Sequence, residues 1–186
     1  MIILASASPR RKELLKKIIP EFQIEASSAS EIIQDDIPPR DVAEHLAAKK
    51  AMDVFNKHPN DTIIGSDTII VLDNTIYGKP ADKEDAKRML KLFSGKTHLV
   101  ITGVCVASSK RTISFSSINS VKFYDLSDSE IDDYLANEEY KDKAGSYAIQ
   151  GKGALFIKEI VGDYNSIVGL PIAQLYRILK NFFNVC

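Results

Sequence analysis

Between Thr62 and Leu72 the chain reads Thr-Ile-Ile-Gly-Ser-Asp-Thr-Ile-Ile-Val-Leu, one of its most apolar segments, broken by a single carboxylate, Asp67. Residues of this kind form strands, and Asp73-Asn74 directly after it suits a tight hairpin turn into a second strand at Ile76 and Tyr77. An unpaired carboxylate buried in such a strand is strongly unfavourable, so Asp67 must be hydrogen-bonded, paired, metal-bound or turned toward a wet cleft. Two readings stay open. Asp67 caps a bulge beside Gly65, since strand glycines often mark bulges, or it is a metal ligand or general base.

Other elements alternate around this strand. Ile2 to Ala5 predicts a short buried strand, and Ser8 and Pro9 suit the N-cap and first position of a helix burying Leu14, Leu15 and Ile18. An extended piece spans Phe22 to Ala26. A helix from about Asp41 to His58 follows, with Val42, Leu46 and Val54 in one apolar line. Asp82 caps a helix burying Ala86, Met89, Leu90 and Phe93, which Gly95 ends. Leu99 to Ala107 and Thr112 to Phe123 read as paired strands with a turn near Ser109-Lys110. Ser127 and Glu130 form a capping box for a helix through Leu135. Glu138 to Gly153 reads as a loop framing a short strand, and Leu155 to Ile160 returns to β character. Pro171 opens a last helix with Ile172, Leu175, Ile178, Leu179 and Phe182 on its buried side. The alternation, with several strand pairs close enough for hairpins, predicts one α/β domain with a mixed, twisted sheet.

Composition narrows the function classes. The 186 residues carry 24 Lys and Arg against 25 Asp and Glu, too even a balance for sequence-blind duplex binding, so no stable nucleic-acid complex is expected. No apolar run approaches the roughly 20 residues of a membrane span, and Ile2 to Ala5 is too short for a signal-peptide core. A cytoplasmic protein is the expectation. Cys105 and Cys186 have neither zinc-site nor CxxC spacing and read as free thiols, and His45, His58 and His98 are isolated from one another. Any metal should therefore be a hard cation held by oxygen.

Several residues break local rules. In Ser6-Ala7-Ser8-Pro9-Arg10-Arg11-Lys12 three cations occupy the first turn of a helix, the end that repels them. A bound phosphate would compensate, because free backbone N–H groups, hydroxyls and guanidiniums would aim at one place. A solvated basic turn is the alternative. Lys50 falls on the line of Val42, Leu46 and Val54, and either snorkels or reaches across a cleft toward phosphate. Lys79, in Tyr77-Gly78-Lys79-Pro80, follows closely on the hairpin and could face the same cleft. Glu31 reads alone as an exposed loop carboxylate. Gln150, within Ile149-Gln150-Gly151-Lys152-Gly153, carries an amide able to read a base edge, or sits in a plain turn. P-loop, GxGxxG and GxSxG spacings are missing. The acid pairs Asp35-Asp36, Asp132-Asp133 and Glu138-Glu139 read as solvated faces.

Taken in order, Leu4 to Arg11, Gly65-Ser66-Asp67-Thr68, Gly78-Lys79-Pro80, Ser94-Gly95-Lys96-Thr97-His98, Lys143 to Gly151 and Gly162 to Pro171 resemble the Maf family. That likeness covers nearly the whole chain. It implies a single Maf-like domain over residues 1–186, with two lobes around a central cleft and a fold like the Ham1-type inosine triphosphate pyrophosphatases. It also implies house-cleaning hydrolysis of a nucleoside triphosphate between its α and β phosphates, with a divalent cation, Mg²⁺ or Mn²⁺. By the same resemblance Asp67 matches the catalytic base, Ser6, Ser8, Arg10 and Arg11 the phosphate-binding motif, Lys50 and Lys79 the cleft lysines, and Glu31, beside Asp67, a metal-associated acid. Arg10, Thr68 and Gln150 resemble the branch that prefers dTTP and UTP, including modified pyrimidine nucleotides, rather than the branch acting on 7-methyl-GTP.

Such hydrolysis brings water to an already anionic phosphorus, so electrostatics must dominate. A carboxylate is a weak base at neutral pH unless metal-bound water meets it partway, which favours a role for Asp67 shared with the ion. Two competing readings are a nucleotide-sensing or division-associated binding protein, which the family's association with septum formation suggests, and a phosphatase removing the γ phosphate. Cations clustered beside an acid argue against a passive anion binder. A homodimer through a helix face near the C-terminus is compatible with the sequence.

Overall fold

Apolar segments, the longest of them buried almost continuously, alternate with helices to build a seven-stranded sheet in a computed structural model that describes residues 1–33 and 36–185. Asp35 and Cys186 lie outside the described residues. In chain order the strands are β1 (Ile2–Leu4), β2 (Gln23–Ile24), β3 (Thr62–Leu72), β4 (Thr75–Tyr77), β5 (Thr97–Ala107), β6 (Thr112–Phe123) and β7 (Ile157–Val161). The helices are α1 (Pro9–Lys16), α2 (Pro39–Phe55), α3 (Lys83–Phe93), α4 (Asp128–Leu135), α5 (Tyr164–Val168) and α6 (Ile172–Ile178). Spatial order is β2-β1-β3-β5-β6-β7, with β4 on β3. The sheet is mixed, as expected: β1 runs parallel to β2 and β3, whereas β3–β4 and β6–β7 are antiparallel.

The chain divides into two compact units, one formed by Met1–Thr68, Thr102–Ser117 and Asn165–Cys186, the other by Ile69–Ile101 and Ile118–Tyr164. In the first, α2 buries Ala43, Ala47 and Ala51 beside the expected Val42, Leu46 and Val54. Small residues let it approach β3. A Cβ on Gly65 would lie 2.4 Å from the Ala47 carbonyl oxygen and 2.9 Å from the Ala51 Cβ. Close helix approach therefore accounts for this glycine. Ile3, Ala5, Ile63, Cys105 and Ala107 complete the cluster, and burial pushes the Cys105 thiol pKa up, making it inert.

The second unit packs around aromatic rings. Phe93 and Phe123 meet edge-on at 6.2 Å, and His98 lies between them and Tyr147. Local signals are borne out. Asp73 and Asn74 both take positive φ in the β3–β4 turn, Asp82 accepts from the Asp85 N–H at 2.8 Å, and Ser127 with Glu130 forms a reciprocal capping box.

Other expectations need correction. No strand occurs between Glu138 and Gly153; positive φ at Glu138, Asp142, Gly145 and Ser146 breaks any extended run, and 3-10 turns replace it. Leu155 belongs to one such turn, so β7 starts at Ile157. Phe182 is 48% exposed, because the wider π turn over Leu179–Phe183 shifts the period that keeps Leu175 and Leu179 inside. The Arg111 guanidinium covers its ring at 5.8 Å. Among the described acids of these pairs Asp36, Asp132, Asp133 and Glu138 are exposed, as expected, with Asp132 paired to Lys87 at the surface; Glu139 alone is half-buried and accepts from the Lys152 N–H.

Candidate active site

The first unit gathers most of the residues singled out in the sequence. β1 ends at Leu4, the chain turns through Ser6 and Ser8, and α1 starts at Pro9. Ser8 occupies the N-cap without a side-chain cap bond; its own N–H donates to Ser6 Oγ at 3.3 Å. No acid sits in the first turn to offset Arg10 and Arg11. Arg11 is not a solvated cation. Its Nε donates to the Gly169 carbonyl at 3.0 Å, Nη1 to Ser6 Oγ at 3.2 Å and Nη2 to Thr68 Oγ1 at 3.1 Å. Gly169 holds a φ of 133°, which strongly favours glycine and brings its carbonyl to the guanidinium.

Asp67 resolves toward pairing. The Lys50 ammonium donates to Asp67 Oδ1 at 2.5 Å and meets Glu31 Oε1 at 2.6 Å. Side-chain exposure is 13% for Lys50 and 12% for Asp67 against 62% for Glu31, so the bridge runs from the interior of the first unit to its surface. Lys50 therefore neither snorkels nor reaches out alone. Glu31, an ordinary loop acid in isolation, gains significance from this company.

The charges share one field. Burial lowers the pKa of Arg11 most, with Asp67 and Glu31 opposing that shift and Arg10 reinforcing it. Arg10 is lowered by burial as well, and among the described residues it has neither a hydrogen bond nor an ion pair. Three cations against two carboxylates leave one net positive charge, a weak counterweight for a polyanion unless another cation joins. Asp67 and Glu31 already converge on one ammonium, so both reach a common point with hard oxygen donors. That pair fits Mg²⁺ or Mn²⁺ completed by ligand phosphate oxygens and water. Among the described residues no group of three or more His, Cys, Asp or Glu side chains offers a complete protein cage.

Lys79 and Gln150 belong to the second unit. Lys79 is 62% exposed and lies 3.7 Å from Asp142, and Gln150 is exposed in a turn. The Gly78 carbonyl just before Lys79 accepts from the Gly145 N–H at 2.9 Å. Residues missed in the sequence sit behind the first unit's cluster. Thr102 donates to the Ser166 carbonyl at 2.8 Å and lies 2.9 Å from Thr68 Oγ1, and the one hydrogen of Ser66 Oγ is shared between the Gly103 and Gly169 carbonyls. Thr102 interrupts an apolar run as Asp67 does, a signal visible in the sequence but fainter for a neutral hydroxyl.

The arrangement is that of an α/β protein with basic donors gathered beside a buried, paired acid. The fold itself is similar to the Ham1 protein of Staphylococcus aureus, with TM-score 0.55 and 16% identity over 96% of this chain and 97% of that one. A HAM1 protein from Coxiella burnetii gives TM-score 0.54 at 12% identity, covering 96% and 98%. Residues 1–182 match the family model described as Maf-like protein, and the chain belongs to the Maf family. It is 50% identical over 181 residues to the dTTP/UTP pyrophosphatase of Bacillus mycoides strain KBAB4, covering 97% of this chain and 95% of that one. The protein of the same name from Bacillus cytotoxicus is 49% identical over 180 residues, covering 97% and 94%. No helix among the described residues is long and apolar enough to cross a membrane.

Proposed function

We propose that the chain is a cytoplasmic nucleoside triphosphate pyrophosphatase that hydrolyses dTTP and UTP to the nucleoside monophosphate and pyrophosphate. The observation that carries this reading is the Lys50 ammonium joining buried Asp67 to Glu31 beside the field of Arg10 and Arg11. Near-half identity over almost the full length of proteins named dTTP/UTP pyrophosphatase supports the substrate.

In this reading Arg10, half-buried and without a side-chain partner among the described residues, takes a phosphate, which restores the stabilisation that burial removed. Arg11, with three of its five N–H groups spent inside the protein, offers the remaining two in a fixed plane. Ser6, Ser8 and the first N–H groups of α1 add donors. Lys50 neutralises further phosphate charge, and Lys79 is given that role by resemblance alone. Asp67 accepts the proton of the water that attacks the α phosphorus; the bond to the bridging oxygen breaks and pyrophosphate leaves. Asp67 and Glu31 would hold a divalent cation, which when bound polarises the α-phosphoryl group and lowers the pKa of water. Thr68, Gln150 and Arg10 account for pyrimidine preference by resemblance.

The test is purified protein with Mg²⁺ and dTTP, UTP, CTP, GTP or 7-methyl-GTP, with the phosphate products identified. Pyrophosphate with dTMP or UMP is expected. Orthophosphate would make it a phosphatase, binding without turnover a nucleotide sensor, and a purine optimum would move it to the other branch.

A further inference from the structure

We propose that Thr102 is a positioning residue for Arg11, acting through Thr68. The direction of the hydrogen bonds carries the inference. Thr102 is fully buried, and its hydroxyl lies 2.8 Å from the Ser166 carbonyl oxygen, which can only accept. The single Thr102 hydrogen is therefore spent there. At 2.9 Å from Thr68 Oγ1, Thr102 must then be the acceptor and Thr68 the donor. With its own hydrogen committed, Thr68 presents a lone pair, which receives Arg11 Nη2–H at 3.1 Å. The chain runs one way, from Arg11 through Thr68 and Thr102 to the backbone of α5.

A second arm holds the same guanidinium. Arg11 Nε–H donates to the Gly169 carbonyl at 3.0 Å, and that carbonyl lies 3.0 Å from the Oγ of fully buried Ser66, whose one hydrogen it shares with the Gly103 carbonyl at 3.1 Å. Together the arms set the plane of a side chain that otherwise samples many rotamers. Thr68 keeps no hydrogen to donate to a bound base, and beside any acceptor or steric part in base preference it transmits the orientation set by Thr102.

The inference rests on the reading of Arg11 as a phosphate ligand, and its test separates the two. Arg11→Gln checks that reading: it should weaken pyrophosphate binding by calorimetry well beyond the Thr102 variants, and an unchanged affinity there would remove Arg11 as a phosphate ligand. Thr102→Val removes the acceptor at nearly constant volume; it should raise KM for dTTP and weaken pyrophosphate binding by calorimetry, each about fivefold, the worth of one net hydrogen bond, while kcat stays within about twofold. Thr102→Ser should restore both. Thr68→Val should weaken pyrophosphate binding similarly, and the double variant should be no weaker than Thr68→Val alone. Where the valine variant does not fold, Thr102→Cys, a weak donor of similar size, takes its place. Pyrophosphate affinity unchanged in the Thr102 variant, or effects that add in the double variant, would overturn the proposal, and this holds whether or not dTTP is turned over.

Discussion

Each unit buries an ionisable side chain, and the two do so by opposite means. Asp67 in the first unit is paired with the Lys50 side chain at 2.5 Å, with a second acid beyond it. His98 in the second is 1% exposed among Phe93, Phe123 and Tyr147, donor or acceptor to the Tyr147 hydroxyl at 2.8 Å, with Nδ1 unpartnered among the described residues. Desolvation drives its pKa down to about 4, so the ring remains neutral. Pairing keeps a charge available for chemistry at the expense of desolvating two ions. Neutrality removes the charge and leaves the group as packing. A buried titratable residue is thus informative only with its neighbours: low exposure accompanies a paired acid in one unit and a core ring in the other.

The sharpest way to break this contrast is to neutralise the paired acid. Asp67→Asn should leave the circular dichroism spectrum unchanged and lower pyrophosphate release at least 100-fold, the usual weight of a general base or metal ligand. A variant retaining more than about a tenth of the activity would remove Asp67 from the chemistry. Next comes the aromatic side. Phe93→Ala, which empties a fully buried ring site, should cost about 3 to 5 kcal/mol in urea unfolding, with kcat nearly unchanged wherever the protein stays folded.

Acid should separate the two units further. His98 is neutral in both folded and unfolded chains well above its ordinary pKa of 6.5. As pH falls the unfolded chain takes the proton first, so its contribution to stability drops from about pH 6.5 and levels off near pH 4. The total loss is on the order of 3 kcal/mol. Urea midpoints measured across that window should show it, and His98→Phe should flatten that part of the profile. A variant with the same acid slope would show that His98 is not the group responsible. The smallest effect lies outside both clusters. Ser127→Ala removes the α4 cap and should cost about 1 kcal/mol without changing KM, which calibrates what a purely local device contributes.

What could be read along the chain follows from the range of the forces. Caps at Asp82 and Ser127, the Asp73-Asn74 turn and the buried stripes of α2 and α3 depend on neighbours within four residues, so spacing alone reveals them. Where backbone conformation departs from propensity, as at the positive φ of Glu138, Asp142 and Ser146, the expected strand does not form. Asp67 and Lys50 were conspicuous because a charge in an apolar line violates burial wherever it occurs. Their union could not be read so directly, since 17 residues separate them and Glu31 joins from a third segment. The Arg11 clamp reaches 158 residues along the chain to Gly169. Periodicity tells which side chains cannot face water; which partners they meet depends on how distant segments converge, and hydrogen-bond direction exists only once every donor and acceptor has a place.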